Sequence, residues 1–387
     1  MSQRRYIDVH ILQTVPPANL NRDDQGNPKE AYFGGVRRSR VSSQAWKRAT
    51  RLAFAKQDID EQDLGTRTKR IAAGLTDLLR ERTTLDGEAA ARLADAVLKV
   101  LDIKAGKKAG DTAYLLFYGR RQLAAVAELV QERAEELIAL DDTALAEAVK
   151  DLPVKDAFDT GHPVDVALFG RMVAEIPTLK VDAATQVAHA VSTHATELEF
   201  DYYTAVDDEN PEGKTGAGMI GTIGFNSATL YRFATIGLHQ LQDNLGGDRN
   251  TALQAVELFL SCFARSMPSG YTNSFAHRTL PHLVAVVVRD DQPVNLVSAF
   301  ENPVTAGTGS RADSGIAATS ARRLAREQTT AIAVWGDAPA FTGLCCTLDA
   351  DDEATTSALT GAFGQTRSFP QLVADLREHL VGTGENN

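Results

Sequence analysis

The chain has 387 residues and a formal net charge of −11, with 43% apolar and 24% charged residues. This composition excludes a chain that is disordered throughout and supports about two to three domain-sized units. No apolar run reaches the roughly 18 residues of a membrane-spanning helix, and the first residues lack a signal-peptide pattern. Three cysteines without framework spacing favour a reducing compartment, so we expect a soluble cytoplasmic protein.

Charge is distributed unevenly along the chain. Residues 1–70 have 14 Lys and Arg against 8 Asp and Glu, and residues 34–56 have seven basic residues and no acidic one. Residues 128–156 have nine acidic and three basic residues. A basic region in an otherwise acidic protein indicates a site for a polyanion, the alternative being a solvated basic helix face.

The amino-terminal region predicts a strand, a long loop and a helix. In the first strand, YIDVHILQTV, the residues Ile7, Val9 and Ile11 share one side, which is typical of a half-buried strand. The polar loop that follows is rich in Pro, Gly, Asn and Asp. The helix SSQAWKRATRLAFAK then begins at a serine cap, either Ser42 or Ser43.

This helix has two chemically different sides. We expect Ala45, Ala49 and Leu52 to form its apolar side. The other side carries residues spaced at i, i+3, i+4 and i+7, namely Gln44, Lys47, Arg48 and Arg51. Such a basic stripe, together with free amides at the helix amino terminus, suits phosphate groups.

The rest of the chain predicts an α+β fold. A helical segment at 59–181 is followed by strands at 186–195 and 228–236, a helix after 248 and a strand at 282–289. With the first strand and helix, this gives the βαββαβ order of a ferredoxin-like or RNA-recognition sheet, split by two insertions. The predicted division is 1–58, 59–181 and 182–387, with a glycine-rich hairpin at about 199–226. The last hundred residues show no motif.

Several local patterns point to chemistry that their surroundings do not support. The segment Gly216–Gly221 matches G-x-G-x-x-G, but a loop precedes it and a strand follows, so we predict no dinucleotide site and no cofactor. His189 and His194 are interpreted as structural, and no zinc-like spacing predicts a metal site. Asp23 and Asp24 lie in the loop after the first strand and are either turn residues or a divalent-cation or general-base site. No catalytic set is evident.

Several blocks in one order resemble the backbone subunit of the type I-E CRISPR Cascade surveillance complex. They are LNRDD from Leu20, FGG-x-RR-x-R from Phe33, SSQ-x-x-KRA-x-R from Ser42, GRM from Gly170, AHA-x-x-TH from Ala188, TAVDD from Thr204 and LYRFATI from Leu230. The match covers about two thirds of the chain. It is more specific than any single motif.

The resemblance implies a hand-shaped, non-catalytic RNA-binding protein. An RNA-recognition-like palm is interrupted by a helical finger insertion, and a β-hairpin thumb projects from the palm. About six copies stack into a helical filament along one CRISPR RNA. Each thumb displaces one guide nucleotide, and the exposed segments pair with target DNA. The other partners are the large, small, 5′-end and 3′-end processing subunits of the complex.

Matching positions imply the residues that bind the guide. They are Asn21, Arg22, Lys29, Arg38, Arg40, Ser42, Ser43, Gln44, Lys47, Arg48, Arg51 and Arg171, with Met172 as a wedge against bases and Thr222 in the thumb. Two departures stand out. Val36 replaces a lysine that close relatives often have, and the aromatic residues of RNA-recognition strands are missing.

Two other functions compete with this interpretation. Backbone subunits of type III effector complexes cut target RNA with an aspartate in the loop after the first strand, which is where Asp23 and Asp24 lie. A metal-dependent ribonuclease is therefore the first alternative. A nucleotide-dependent enzyme that uses Gly216–Gly221 is the second.

Overall fold

The computed structural model describes residues 4–108, 110–173, 176–206, 217–305, 315–348 and 351–382. The chain divides into two compact units. We call Met1–Phe54, Val187–Thr235 and Val256–Asn387 the sheet unit, and Ala55–Gln186 with Ile236–Ala255 the helical unit. The sequence-based division after residues 58 and 181 stays a prediction.

The first part of the chain forms β1 (Tyr6–Ala18), β2 (Glu30–Phe33), β3 (Val36–Val41) and α1 (Ser43–Phe54). The middle part forms β4 (Gly65–Thr68), α2 (Ile71–Arg82), α3 (Gly87–Lys99), β5 (Leu116–Gly119), α4 (Arg120–Gln131), α5 (Ala134–Ile138), α6 (Asp142–Lys150), α7 (Val154–Asp159) and α8 (Val164–Phe169).

The chain continues with β6 (Thr185–Val187), β7 (Ala190–Ser192), β8 (Glu199–Val206), β9 (Ala217–Gly237), α9 (Leu238–Asn244), α10 (Arg249–Arg265), α11 (Thr272–Phe275) and β10 (Leu283–Arg289). The last elements are α12 (Ile316–Trp335), β11 (Phe341–Cys346), α13 (Glu353–Phe363) and α14 (Phe369–Gly382). Short 3-10 turns lie at Glu61–Asp63, Pro177–Leu179 and Leu296–Phe300.

The sheet has the strand order β11-β10-β1-β9-β7-β3-β2, and β6 and β8 also pair with β9. Within it, β10-β1-β9-β7 is the fourth-first-third-second order of a ferredoxin-like βαββαβ unit whose helices are α1 and α10. Strand β1 is antiparallel to β10, from Tyr6 opposite Arg289 to Leu12 opposite Leu283. The predicted α+β class with an RNA-recognition-like palm is confirmed.

Residues 30–41 form a hairpin and not the predicted loop. Strands β2 and β3 pair from Glu30 opposite Ser39 to Phe33 opposite Val36. The two turn residues, Gly34 and Gly35, have φ values of +61° and +79°, as a two-residue hairpin turn requires. The prediction of a continuous loop is wrong because the Gly-Gly pair is itself a hairpin signal.

One face of the sheet is covered by α1 and α10. Trp46 on α1 and Phe263 on α10 lie on either side of Arg232 of β9, whose guanidinium carbon is 3.8 Å from the centroid of the Trp46 ring system and 4.6 Å from that of the Phe263 ring. All three side chains are buried. Arg232 Nη1 donates a hydrogen bond to Gln13 Oε1 of β1 at 2.6 Å, which gives this buried cation a polar partner.

The opposite face is covered by the carboxyl-terminal helices. Tyr231 and Phe233 of β9 belong to a buried cluster with Phe300, Leu324 and Phe363. Every residue of β10 is buried. Strand β1 is also buried on both sides, from Ile7 to Gln13, so the prediction that it is half-buried is wrong. The segment that covers its second side lies about 300 residues further along the chain and shows no motif.

Polar residues of β1 are buried on this second face in a hydrogen-bonded cluster. Arg289 Nη1 donates to Asp8 Oδ2 at 2.9 Å, and Arg289 also pairs with Asp337 at 2.9 Å. His10 Nδ1 lies 2.9 Å from the hydroxyl of Tyr231. Burial raises the pKa of Asp8 to about 6 and lowers the pKa of His10 to about 3. These groups balance charge inside the sheet unit.

The helical unit has its own core. Residues such as Leu75, Val97, Val126 and Phe158, from α2, α3, α4 and α7, belong to one buried cluster. Strands β4 and β5 form a separate antiparallel pair. Among the described residues, no helix is both long and apolar enough to cross a membrane.

Candidate nucleic-acid interface

Helix α1 begins at a capped turn that is tied to the end of β1. Ser42 Oγ accepts a hydrogen bond from the Ala45 N–H at 3.3 Å, which makes Ser42 the serine cap. The Ser42 N–H donates to Asn21 Oδ1 at 2.9 Å. Ser42 is buried and Ser43 is half-buried. Ser42 and Asn21 therefore fix the direction in which α1 leaves the sheet.

The buried side of α1 differs from the predicted one. Trp46, Thr50 and Phe54, spaced at i, i+4 and i+8, are buried, whereas Leu52 is 47% exposed. The predicted apolar side of Ala45, Ala49 and Leu52 is wrong. The reason is volume: the large rings of Trp46 and Phe54 fill the space above the sheet, and the helix rotates to bury them.

The polar side of α1 carries the four residues that the sequence places there. Gln44 and Arg48 are exposed, and Lys47 and Arg51 are half-buried. Burial lowers the pKa of Lys47, because its ammonium group is partly removed from water. An anion beside this ammonium would counter that effect, because an opposite charge favours the charged form. We call Gln44, Lys47, Arg48 and Arg51 the α1 ridge.

A second basic group comes from the β2–β3 hairpin and the segment before β7. Arg40 Nη1 lies 2.9 Å from His189 Nδ1, and Arg40 Nε donates to the Glu30 carbonyl at 3.1 Å. The pKa of His189 is lowered by burial and by the charges of Arg40 and Lys29. His189, interpreted from the sequence as structural, is exposed beside these cations. Sequence spacing alone did not predict that His189 lies beside Arg40 and Lys29.

His194 does have the structural role expected of it. Its Nε2 accepts a hydrogen bond from the Thr229 N–H at 3.0 Å, and its Nδ1 lies 2.8 Å from the Ala195 carbonyl. The first contact is with the backbone of β9 and the second with the backbone that follows β7. They stabilise the sheet and leave the imidazole engaged within the protein.

Two arginines of the predicted set are buried. Arg38 donates to the carbonyls of Phe33, Ser192, Phe300 and Glu301 at 2.8 to 3.1 Å and is fully buried. These contacts place its guanidinium inside the sheet unit and not on the surface.

Arg171 has the same environment in the helical unit. It donates to the carbonyls of Leu179 and Phe158 at 2.5 and 3.0 Å, and burial lowers its pKa to about 10. In this conformation Arg38 and Arg171 stabilise loops. They contribute no charge to the surface, so we leave both out of the proposed RNA-contacting set.

The remaining predicted residues are exposed. Arg22 lies in the β1–β2 loop, Met172 of the helical unit is 85% exposed, and Thr222 is exposed on β9. Strand β8 pairs with the first part of β9, with Tyr202 opposite Thr222. The predicted hairpin is formed by these strands, and its tip at 207–216 lies outside the described residues.

The hairpin also carries exposed apolar side chains that the sequence analysis did not single out. Phe200, Tyr202 and Ile220 are each 60 to 64% exposed. At the base of the hairpin, Asn19 Nδ2 donates to the Gly224 carbonyl at 2.9 Å. The alternation of aromatic and polar residues in EFDYYT was the available signal.

The structure gives little support to the two alternative sites, the one at Asp23 and Asp24 and the one at Gly216–Gly221. Asp23 Oδ1 accepts hydrogen bonds from the Gln25 and Asn27 N–H groups, both at 2.9 Å, which is the geometry of a turn. Asp24 is exposed. Across the described ranges, no group of three or more His, Cys, Asp or Glu residues could bind a metal ion. After Gly216 the chain forms strand β9 and not the helix that a dinucleotide fingerprint requires.

Comparison with known proteins gives the chain a family. The family model described as CT1975-like protein matches residues 7–375. A chain of a solved "CRISPR RNA-guided surveillance complex, pre-nicking" aligns at 31% identity with a TM-score of 0.81, covering 97% of this chain and 100% of that chain. A chain of a "CRISPR RNA-guided surveillance complex" aligns at 28% identity with a TM-score of 0.71, covering 96% of this chain and 99% of that chain. A search of curated proteins finds no match.

Proposed function

The chain belongs to the CT1975-like family, and we propose that it is the non-catalytic backbone subunit of a type I-E CRISPR surveillance complex. In this role several copies assemble along one CRISPR RNA in the cytoplasm. Together with the large, small and end-binding subunits, they present the guide for pairing with target DNA.

The observation that carries this proposal is the α1 ridge. Its cations, Lys47, Arg48 and Arg51, extend from a helix that buried aromatic residues fix against the sheet. Charged groups in fixed positions bind the phosphate backbone without reading sequence, which is what a subunit that accepts any guide requires. Lys29 and Arg40, which lie beside His189, add a second cationic group in the same unit.

The covered sheet supports the same conclusion. An RNA-recognition sheet ordinarily stacks bases on its exposed face. Here the central strands of the βαββαβ unit, β1 and the 228–237 part of β9, are buried on both faces. Binding through the phosphate backbone outside the sheet is therefore the mode that the sheet unit favours.

Purification of the protein with its native partners tests the proposal. We expect nuclease-sensitive RNA of uniform length to co-purify, because every assembly would enclose one processed guide. Co-purification of no RNA, or of RNA with random lengths that high salt removes, would contradict the proposal.

The alternative is a metal-dependent ribonuclease that uses Asp23 or Asp24, both of which are exposed in the loop after β1. Labelled RNA complementary to the guide, incubated with the complex and Mg²⁺, separates the two functions. Our proposal predicts intact RNA. Regularly spaced cuts that disappear in the Asp23→Ala/Asp24→Ala variant would establish the enzyme instead.

A further inference from the structure

The segment between α10 and β10 has an unusual backbone that the proposed function does not explain. Tyr271 and Ala276, on either side of the single-turn helix α11, have φ values of +47° and +45°. The left-handed region is unfavourable for residues with a side chain, so the surrounding structure must hold them there. Strained positions of this kind concentrate at functional sites.

Close packing holds this segment in place. A Cβ atom on Gly270 would lie 2.3 Å from the Asn19 carbonyl oxygen, so the segment presses directly against the end of β1. His277 is buried, and its Nε2 lies 3.1 Å from the Pro268 carbonyl. The ring centroids of Phe275 and Phe225 are 5.8 Å apart, which joins the segment to the base of the β8–β9 hairpin.

The fixed backbone presents Tyr271 to the β1–β2 loop. The guanidinium carbon of Arg22 lies 4.8 Å from the centroid of the Tyr271 ring. Arg22 is exposed and Tyr271 is half-buried, and the neighbouring Thr272, Asn273 and Ser274 are exposed hydrogen-bonding residues. The Arg22 guanidinium and the Tyr271 ring together form a cationic and aromatic surface, with exposed polar residues next to it in the chain.

We propose that Arg22 and Tyr271 form a stacking platform for one unpaired base of a bound single-stranded RNA. The inference rests on the proposed function. It adds a contact to a base, whereas the α1 ridge contacts phosphates. Planar aromatic and guanidinium groups are the surfaces on which proteins stack single-stranded bases. A phosphate contact alone would need the cation but not the ring, nor the strained backbone that positions the ring.

The test compares two single-stranded RNA 30-mers bound to the full-length chain, one with all its bases and one with abasic sites throughout. Both strands carry the same phosphates. The wild-type chain is expected to bind the abasic strand at least about fivefold more weakly. In Tyr271→Asn, whose new residue tolerates a left-handed backbone, this preference should disappear. In Tyr271→Phe, which keeps the ring, it should remain.

Arg22→Lys is the matched charge control. It keeps the positive charge but removes the planar group, so the preference for the strand with bases should fall while the salt dependence of binding stays the same. RNA that carries 4-thiouridine should in addition crosslink to the peptide that contains Tyr271.

The outcomes separate this inference from the proposed function. If every variant binds RNA and discriminates between the two strands like the wild type, the platform is overturned and the proposed function stands. If the wild-type chain binds neither strand, both fail. Loss of discrimination in Tyr271→Asn together with its retention in Tyr271→Phe supports the platform.

Discussion

Lys47 and Arg51 lie one turn apart on α1, which is the spacing at which two side chains share a helix face. Each cation that neutralises a phosphate releases a counterion. We therefore expect Lys47→Ala/Arg51→Ala to weaken RNA binding for every guide sequence and to reduce the slope of log K against log salt by about two.

The matched control for this pair removes the same charge elsewhere. Arg133→Ala/Lys150→Ala deletes two exposed cations of the acidic helical segment, both of which pair with glutamates. Its salt slope should equal that of the wild type in RNA-binding titrations. Equal slopes for both double variants would show that the α1 ridge is only a solvated helix face.

His10 and Asp8 titrate in opposite senses inside the sheet unit. The folded chain keeps His10 neutral, with its pKa lowered from 6.5 to about 3, so its stabilising contribution is complete above pH 6.5 and is lost as the pH falls. Asp8, with its pKa raised from 3.8 to about 6, retains a proton that the unfolded chain releases. Its contribution therefore grows as the pH falls from 6 to 4.

Removing the histidine should remove the loss of stability that its protonation in the unfolded chain causes at low pH. Relative to the wild type, His10→Gln should gain up to about 1.4 kcal/mol of unfolding free energy per pH unit as the pH falls from 6.5 towards 4. Urea denaturation at four pH values measures the difference. A difference that stays constant across this range would contradict the lowered pKa of His10.

At the scale of elements, Arg38 joins the β2–β3 hairpin to β7 and to the turn at 300–301 through four carbonyl contacts. Arg38→Met leaves these carbonyls without their donor, so we expect a loss of about 2–4 kcal/mol in unfolding free energy. The salt slope of RNA binding should be unchanged, since the guanidinium is buried. A slope reduced by one would show instead that Arg38 contacts a phosphate.

Periodicity predicted the elements of the βαββαβ unit, because each has a repeating apolar pattern with capping or turn residues at its ends. The exception is the single strand expected at 186–195, which forms the two short strands β6 and β7. Periodicity did not predict which side of α1 is buried, since Ala45, Ala49 and Leu52 fit the same helical period as the bulkier Trp46, Thr50 and Phe54. The sequence also did not predict the burial of Arg38, because its four hydrogen-bond acceptors are backbone carbonyls, which every residue has.

At the scale of the whole molecule, the β8–β9 hairpin is expected to serve assembly and not folding. Exposed Phe200, Tyr202 and Ile220 contribute little to the stability of a single chain. Tyr202 pairs with Thr222, so an Asn-Gly turn can replace residues 203–221 between them. We expect this variant to melt within a few degrees of the wild type yet fail to form multi-subunit particles on RNA in sedimentation analysis. Normal particles would rule out the thumb role.

The carboxyl-terminal segment covers the second face of the sheet, and no local sequence pattern predicted this role. Helices α12 and α13 and the turn at 296–300 bury Tyr231 and Phe233, so the polar alternation of β1 does not mark a solvent-facing side. Sequence reasoning placed the polyanion site on α1 from charge alone. The addition of His189 beside Arg40 required the three-dimensional structure.

The central claim is that RNA lies along the α1 ridge, and lysine footprinting tests it most directly. The full-length chain is treated with an amine-reactive reagent with and without saturating single-stranded RNA, and each lysine is quantified by mass spectrometry. We predict protection of Lys47 and Lys29, with Lys150 and Lys155 of the acidic helical segment unchanged. Full reactivity of Lys47 and Lys29 in the saturated complex would contradict the account.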